Sequence, residues 1–247
     1  MLWTKPTSNG DIPSSSEPAK MSSSFGTIYS HDPNPRTTAI LAIAKAQGLK
    51  LDVIYADKDQ NPENYQKLLK VNPLGQVPVF VGADGYVLTE CIAVALYIAS
   101  QSDTTTLLGS TRRQYFDIIR WMSLVNSDML PAIGGVILPL MGRSTDVKCD
   151  QGDCLRVVYR DFKRLEDHLQ TQKYLASKDE VTLADLFVVG LIKFAVMVFH
   201  KHLKALYPRV WEWFNEVYQI PMFNEFAGPG SLHLLDVPVP GPPQEGA

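Results

Sequence analysis

The sequence predicts an α/β domain followed by an all-helical domain. Between residues 25 and 102, short runs rich in β-branched and aromatic residues alternate with helical patterns in the order β-α-β-α-β-β-α. From Arg112 onward, helical periodicity takes over with almost no strand signal. The chain has 247 residues, 45% of them hydrophobic, which is enough for a buried core in each domain.

The elements of the first domain follow one another through short connections. Strands are predicted over FGTIYS, LDVIYA, VPVFV and YVL, and helices over RTTAILAIAKAQG, residues 62–70 and ECIAVALYIAS. This order predicts a small mixed sheet with helices packed on it. We place the first domain at residues 25–102 and the helical domain at residues 110–230.

The two ends of the chain differ in composition from these domains. Residues 1–24 are rich in Ser, Pro and Lys and lack the apolar stretch of a secretory signal, so they are expected to be disordered, with Met21 as a conceivable second start. The Pro-rich tail over 236–247 is expected to have no regular structure. The longest apolar stretch, LFVVGLIKFAVMVF, is interrupted by Lys193 and is shorter than a bilayer of about 30 Å requires, which predicts a buried core helix.

Charge and cysteine usage narrow the class of partner. The formal net charge of −3 arises from 26 acids and 23 bases without a large single-sign block, which disfavours nucleic acid and membranes as partners. The spacing of Cys91, Cys149 and Cys154 matches neither a disulfide framework nor a zinc site. We therefore expect no metal and a cytoplasmic, reducing location, with a small organic molecule or another protein as partner.

A helix start stands out within the second domain. In VTLAD, Thr182 fits the N-cap position and Asp185 fits the reciprocal position of a capping box, while Val181 is placed to pack on Leu186. A capping role explains the spacing of Asp185, so we interpret this motif as a folding signal rather than a catalytic one.

The stretch QVPVFVGADGYVLTEC has the features of a binding site for an amino-acid derivative. Pro78 cannot donate to a sheet ladder, so it belongs at an edge or a special turn, and the Val77–Pro78 bond is expected to be cis. Val77 could then pair its backbone with an extended peptide. Glu90 and Cys91 lie where a helix begins, so N–H groups there can hold a carboxylate while the Glu90 side chain holds an ammonium. The alternative for Glu90 is an ordinary acid favoured by the helix dipole.

These segments also resemble a known family. NPLGQVPVF, LTECIAVALYIA and VTLADLFVVG are similar to the cytosolic glutathione transferases, and the resemblance extends from Phe25 to Phe226. It implies a thioredoxin-like first domain, glutathione as cofactor, a small hydrophobic electrophile as second substrate, and a homodimer. More narrowly, SFGTIYSHDPNPRTTAILAIAKA and LLGSTRRQYFDIIRWMSLVNSDMLP resemble the transferase-type domain in the gamma subunit of fungal elongation factor one-B. That subunit continues into a further domain, whereas this sequence ends, so we expect a separate role in fungal secondary metabolism.

The resemblance also implies roles for residues of the binding stretch. Val77, preceding Pro78, pairs with the cysteinyl part of glutathione, Glu90 binds the γ-glutamyl ammonium, and Gln76 lies toward the glycyl end. Cys91 stands where the family usually has Ser. If the backbone N–H makes the essential contact there, the change matters little, but if the hydroxyl is needed, affinity drops.

The residue that stabilises the glutathione thiolate is less clearly marked. In the family it is a Tyr, Ser or Cys just after the first strand, and the loop here offers Tyr29, Ser30, His31 and Asn34. We favour Asn34, with Ser30 and His31 as the next candidates. Asn34 equally fits the N-cap of the first helix with Pro35 at the first helical position, and the two roles are compatible.

For the second domain, Phe116, Arg120 and Ser123 are spaced to share one helix face, and we predict that they line the electrophile pocket. Three functions follow from the resemblance. The first is a transferase that adds glutathione to an electrophile, and the second is a glutathione-dependent cis–trans isomerase that adds and then eliminates the thiolate. The third is a non-catalytic interaction module like the elongation-factor domain.

Overall fold

The computed structural model describes residues 24–143, 147, 150–228 and 230–242. The first domain contains four strands and three helices, as the sequence predicts. Their bounds are β1 Gly26–Ser30, α1 Pro35–Ala46, β2 Leu51–Tyr55, α2 Pro62–Val71, β3 Val79–Gly82, β4 Val87–Leu88 and α3 Cys91–Ala99. The predicted N-terminal disorder and the question of Met21 concern residues outside those described, except for Ser24.

The four strands form one mixed sheet in the order β2-β1-β3-β4. Strand β2 pairs parallel to β1 because α1 crosses over between them, with Gly26 opposite Leu51. Strand β3 runs antiparallel to both β1 and β4, and a tight turn joins it to β4, with Gly85 at a φ of 85°. This is the predicted thioredoxin-like arrangement.

The second domain is helical throughout its described elements. The first helix is long and has three parts: α4, a π-helical segment with i→i+5 bonds that we call the π segment, and α5. The bounds are α4 Arg112–Leu124, the π segment Val125–Met129, α5 Leu130–Leu140, α6 Gln151–Leu169, α7 Leu183–Leu206, α8 Pro208–Tyr218 and α9 Pro221–Ala227.

Buried hydrogen bonds to Asp185 stabilise the start of helix α7. It begins with the predicted capping box, in which Asp185 Oδ2 accepts from the N–H and the hydroxyl of Thr182, both at 2.9 Å. The other oxygen of Asp185 accepts from Leu175 N–H and Trp213 Nε1, each at 2.9 Å. Since Asp185 is fully buried, these four donors supply the polar partners that a buried carboxylate requires.

Two helical stretches are long and apolar enough to cross a membrane by length and composition, namely Arg112–Leu140 and Leu183–Leu206. For α7, 78% of the apolar window is buried inside the protein, as in the core helix of a globular domain. The prediction of a buried core helix is confirmed, although α7 is longer than the apolar stretch that predicted it.

The C-terminal segment packs along α6 and α7 without regular structure of its own. Leu235 N–H donates to Met197 C=O at 2.9 Å, and Tyr159 donates its hydroxyl to Pro240 C=O at 2.8 Å. Lys201 pairs with Asp236 beside these contacts. The predicted absence of regular structure is confirmed as far as residue 242.

One expectation about the cysteines is wrong. Cys154 takes part in a disulfide bond, whereas Cys91 is a free thiol. Cys149 lies outside the described residues. Cysteine spacing reveals a framework of several disulfide bonds. A single disulfide bond requires only two thiols that the local fold brings together, and spacing alone does not show it.

Candidate functional site

The segment before β3 leaves a peptide group available for pairing. The Val77–Pro78 bond is cis, as predicted, and Pro78 is buried while Val77 is partly exposed. Among the described residues, neither the N–H nor the C=O of Val77 has a hydrogen-bond partner. An extended peptide could therefore bond to both groups.

The loop that leads to Val77 is fixed from α2. Asn72 donates its side-chain amide to the C=O of Gln76 at 2.9 Å, and Gly75 turns the chain at a φ of 65°. The side chain of Gln76 is exposed beside this turn. The backbone that leads to Val77 is thus held in place by the Asn72 hydrogen bond and the turn at Gly75.

Glu90 has a backbone conformation that is unfavourable for its residue type. Its φ is 68°, and it is the one non-glycine residue with positive φ in the described part of the chain. Such a conformation costs about 1–3 kcal/mol. Glu90 occupies the N-cap of α3, yet its side chain makes no capping hydrogen bond and is exposed. The alternative of an ordinary helix-capping acid therefore leaves both the strain and the unpaired carboxylate unexplained.

Cys91 follows at the first position of α3 and has a relative exposure of 5%. Burial raises the pKa of its thiol, while the nearby charge of Arg36 acts in the opposite direction. The sulfur donates a hydrogen bond to Asn126 Oδ1 at 3.4 Å. The thiol is thus occupied inside the protein, which leaves the backbone N–H as the group that Cys91 offers to a ligand.

Asn34 caps α1. Its Oδ1 accepts from Arg36 N–H at 3.0 Å and its Nδ2 donates to Ser30 Oγ at 3.2 Å, with an exposure of only 7%. Ser30 is still more buried, and its hydroxyl donates to His31 C=O at 3.1 Å. Both favoured candidates for thiolate stabilisation therefore use donors within the protein, although Asn34 Nδ2 retains a second hydrogen.

The other two candidates, Tyr29 and His31, lie in different surroundings. Tyr29 packs against Val79 and Leu68 on the sheet face that α2 covers. His31 is partly exposed in the loop. The role of His31 as a stabiliser of the thiolate stays a prediction.

Two residues that the sequence did not indicate join the domains at this site. Arg36, in the first turn of α1, donates its Nε to Asn126 Oδ1 at 2.9 Å. The same oxygen accepts the Cys91 thiol, so one carboxamide contacts the starts of α1 and α3. The sequence could have indicated Arg36. A cation in the first turn of a helix interacts unfavourably with the helix dipole, so its presence there suggests a role other than stabilising the helix.

The three residues predicted to line the electrophile pocket differ in exposure and in partners, and their role in binding an electrophile stays a prediction. Arg120 pairs with Asp117 at 3.2 Å and lies over the Trp121 ring at 5.2 Å. Phe116 is 61% exposed, and Ser123 is partly buried. Of the three, Ser123 is nearest in sequence to Asn126, one helical turn before it.

The described chain has two further surface cavities outside this site. One surface cavity lies between the start of β1 and the α1–β2 loop, and another lies between α7 and the C-terminal segment. No group of three His, Cys, Asp or Glu side chains that could hold a metal occurs within the described residues.

Comparison with known proteins shows the family to which the chain belongs. Residues 24–100 match the model of the glutathione S-transferase N-terminal domain, and residues 129–221 match that of the C-terminal domain. The chain is 39% identical over 205 residues to glutathione S-transferase mdpJ of Emericella nidulans, covering 83% of this chain and 91% of that protein. It is 41% identical over 225 residues to glutathione S-transferase stcT of the same organism, covering 88% and 99%.

Among solved structures, the GST-like domain of elongation factor 1-gamma from Saccharomyces cerevisiae is similar, with a TM-score of 0.71 and 28% identity over 90% of this chain and all of that one. The protein belongs to the glutathione S-transferase family, whose co-substrate is glutathione. The predicted resemblance to this family and to its elongation-factor gamma-like group is confirmed.

Proposed function

We propose that this protein binds glutathione along Val77 and Glu90 and adds its thiolate to a small hydrophobic electrophile. The observation that carries the proposal is Glu90, whose strained backbone presents an exposed, unpaired carboxylate at the start of α3. A carboxylate in that position suits the γ-glutamyl ammonium of glutathione, while the free peptide groups of Val77 suit its cysteinyl backbone. The similarity to fungal transferases supports a small-molecule substrate over a purely structural role.

The proposed chemistry requires only a thiolate and an acceptor. The thiol of bound glutathione loses its proton to solvent, and the sulfur electron pair forms the new C–S bond. At a saturated carbon, the leaving group departs with its bonding pair. At a conjugated enone, the electrons move to the carbonyl oxygen and a proton from solvent completes the adduct.

Binding is tested by isothermal titration of the full chain with glutathione, for which we expect a dissociation constant in the micromolar to millimolar range, about −8 to −4 kcal/mol. Glu90→Ala should weaken it strongly, while Glu212→Ala, which removes an exposed acid from α8, should not. Absence of binding to the unsubstituted protein would refute the proposal.

Mass spectrometry of the product then separates the possible reactions. A transferase product retains the glutathione sulfur, whereas an isomerase returns free glutathione and a product with the mass of its substrate. Tight binding without turnover on a panel of quinones, enones and epoxides would favour a non-catalytic module.

We further propose that the protein forms a homodimer. Exposed apolar side chains occur on both domains, with Leu74 and Tyr86 on the first and Phe116 on α4 of the second. Pairing two copies would remove such surface from water, and each Å² of apolar surface buried would contribute roughly 25 cal/mol of stabilising free energy. Light scattering after size exclusion should give twice the mass of 27.5 kDa, and a single-chain mass would contradict the dimer.

A further inference from the structure

We infer that Arg36 is the cationic group that stabilises the glutathione thiolate and that Asn126, in the π segment, is the residue that positions it. The inference rests on the proposed function, because it assigns the thiolate of the same glutathione site. It differs from the expectation drawn from the β1–α1 loop, where Asn34, Ser30 and His31 were the candidates.

Two of the three loop candidates, Ser30 and Asn34, have donors that are largely committed to the protein. Ser30 is 1% exposed and its single hydroxyl hydrogen goes to a backbone C=O. Asn34 uses Oδ1 to cap α1 and Nδ2 to bond Ser30. A group that stabilises an external anion must have a donor directed at it, so a different residue is favoured.

Arg36 meets that requirement. The residue is partly buried, and among the described residues only its Nε has a partner, which is Asn126 Oδ1. Within the described residues, the two terminal nitrogens make no hydrogen bond or ion pair. A partly desolvated guanidinium with free donors is a strong site for an anion, because a guanidinium remains charged at all working pH values.

The position of the charge is fixed by the shared acceptor. Arg36 Nε and Cys91 Sγ both bond to Asn126 Oδ1, at 2.9 and 3.4 Å. The guanidinium therefore lies between the start of α1, where the resemblance places the sulfur two residues away at Asn34, and the start of α3, where the glutamyl group is proposed to bind. The charged groups that influence the Cys91 sulfur are Arg36 and Glu90. Burial raises the pKa of the Cys91 thiol and the charge of Arg36 opposes that rise, which is consistent with a guanidinium close to the start of α3.

Asn126 can fulfil this role because of the π segment. A π turn contains one residue more than an α turn and is frequent at functional sites. It places Asn126 toward α1 and α3 within a helix whose neighbouring residues Val125 and Met129 are fully buried. The uncharged carboxamide accepts from Nε without neutralising the guanidinium, which leaves the full charge available for the thiolate.

The test measures the thiol pKa of bound glutathione from thiolate ultraviolet absorbance against pH. It separately measures binding of S-methylglutathione, which has no ionisable thiol. Arg36→Gln should raise the bound thiol pKa by about 1–2 and lower the rate at neutral pH by about tenfold or more. Affinity for S-methylglutathione should stay within about twofold. Arg156→Gln, which removes an equal charge from the surface of α6, is the control and should change neither value.

Asn126→Asp separates a charge effect from a structural one. The aspartate keeps an oxygen that can accept from Arg36 Nε, so a merely structural role predicts parental behaviour. The inference predicts a raised thiol pKa in this variant with unchanged thermal stability, because the new carboxylate neutralises the guanidinium. Asn126→Ala should give a smaller rise, since Arg36 then keeps its charge but loses its orientation.

Two results would overturn the assignment, and a third would refute the function on which it rests. An unchanged thiol pKa in both Arg36→Gln and Asn126→Asp would exclude a role for Arg36 at the sulfur. Equal loss of affinity for glutathione and S-methylglutathione in Arg36→Gln would show that Arg36 binds a carboxylate of the peptide. Failure of the unsubstituted protein to bind either ligand would instead refute the proposed function itself.

Discussion

The Nε of Arg36 lies 2.9 Å from the Oδ1 of Asn126, although 90 residues separate the two in sequence. This hydrogen bond joins the first turn of α1 to the π segment of the helical domain. The start of α3 reaches the same oxygen through Cys91. One side-chain atom therefore links both α1 and α3 of the domain that is proposed to bind glutathione to the domain that is proposed to bind the electrophile.

Asn34→Ala should lower the free energy of unfolding by about 1 kcal/mol, because the N-cap bond to Arg36 N–H is lost. Denaturant titration measures this change. If Asn34 only caps α1, the thiol pKa of bound glutathione should hardly move. A rise in that pKa with a fall in rate of up to about a hundredfold would show that its second amide hydrogen reaches the sulfur.

Glu90→Ala and Glu90→Gly should separate binding from strain. Both remove the carboxylate, so glutathione binding should weaken by roughly 2 kcal/mol in each. Glycine adopts a φ of 68° without steric cost, so Glu90→Gly should also raise the free energy of unfolding above that of Glu90→Ala, by up to about 1 kcal/mol. Calorimetry and urea unfolding give the two values. Equal stability of both variants would show that the backbone at Glu90 is not strained.

Cys91→Ser should bind glutathione as well as the parent or slightly better, because the backbone N–H at the start of α3 is retained and the hydroxyl can replace the thiol at Asn126. Strong loss of binding or activity in this variant would mean that the thiol itself participates. Titration calorimetry on both proteins at neutral pH makes the comparison.

The Cys91 thiol should also make stability depend on alkaline pH. Burial raises its pKa in the folded protein. Its contribution is then complete below the unfolded-state value of about 8.5 and is lost as pH rises through the folded value. The parent should therefore lose more stability than Cys91→Ser between neutral pH and about pH 9.5, as measured by urea unfolding. Parallel loss in the two proteins would contradict a raised pKa.

Asp185→Ala should destabilise the fold by about 3 kcal/mol or more, since it leaves four buried donors without an acceptor. Asp185→Asn keeps the shape and one acceptor oxygen, so it should cost less. Thermal unfolding followed by tryptophan fluorescence is a suitable measurement, because Trp213 donates to Asp185. Parental stability with lost activity would instead indicate a catalytic role.

The elements of the first domain could be predicted because their signals are local. The alternation of strand and helix patterns gave every element of β1 through α3, and Pro78 marked the cis bond before β3. The capping box at Thr182 could be predicted as well, since four consecutive residues specify it. Each of these features depends on neighbours within a few positions.

The contacts around the proposed thiolate position could not be predicted in this way. Arg36 and Asn126 belong to different domains, and their pairing depends on how the two domains pack against each other. The prediction that Phe116, Arg120 and Ser123 share a helix face rests on regular periodicity, which does not show which residues each of them contacts. Arg120 instead found partners on its own helix, in Asp117 and Trp121.

The π segment also fixes the rotational phase of the long helix. Each residue of an α-helix advances the side chains by about 100°, so one additional residue in a turn sets α5 about that far out of phase with α4. Deleting Ser127, an exposed residue of the segment, would let the backbone close as a continuous α-helix. Either Asn126 would then turn away from Arg36, or the buried face of α5 would turn away from α6. A one-residue gap at this point in an alignment of relatives would thus mark proteins that cannot keep both the contact between Arg36 and Asn126 and the packing of α5 on α6.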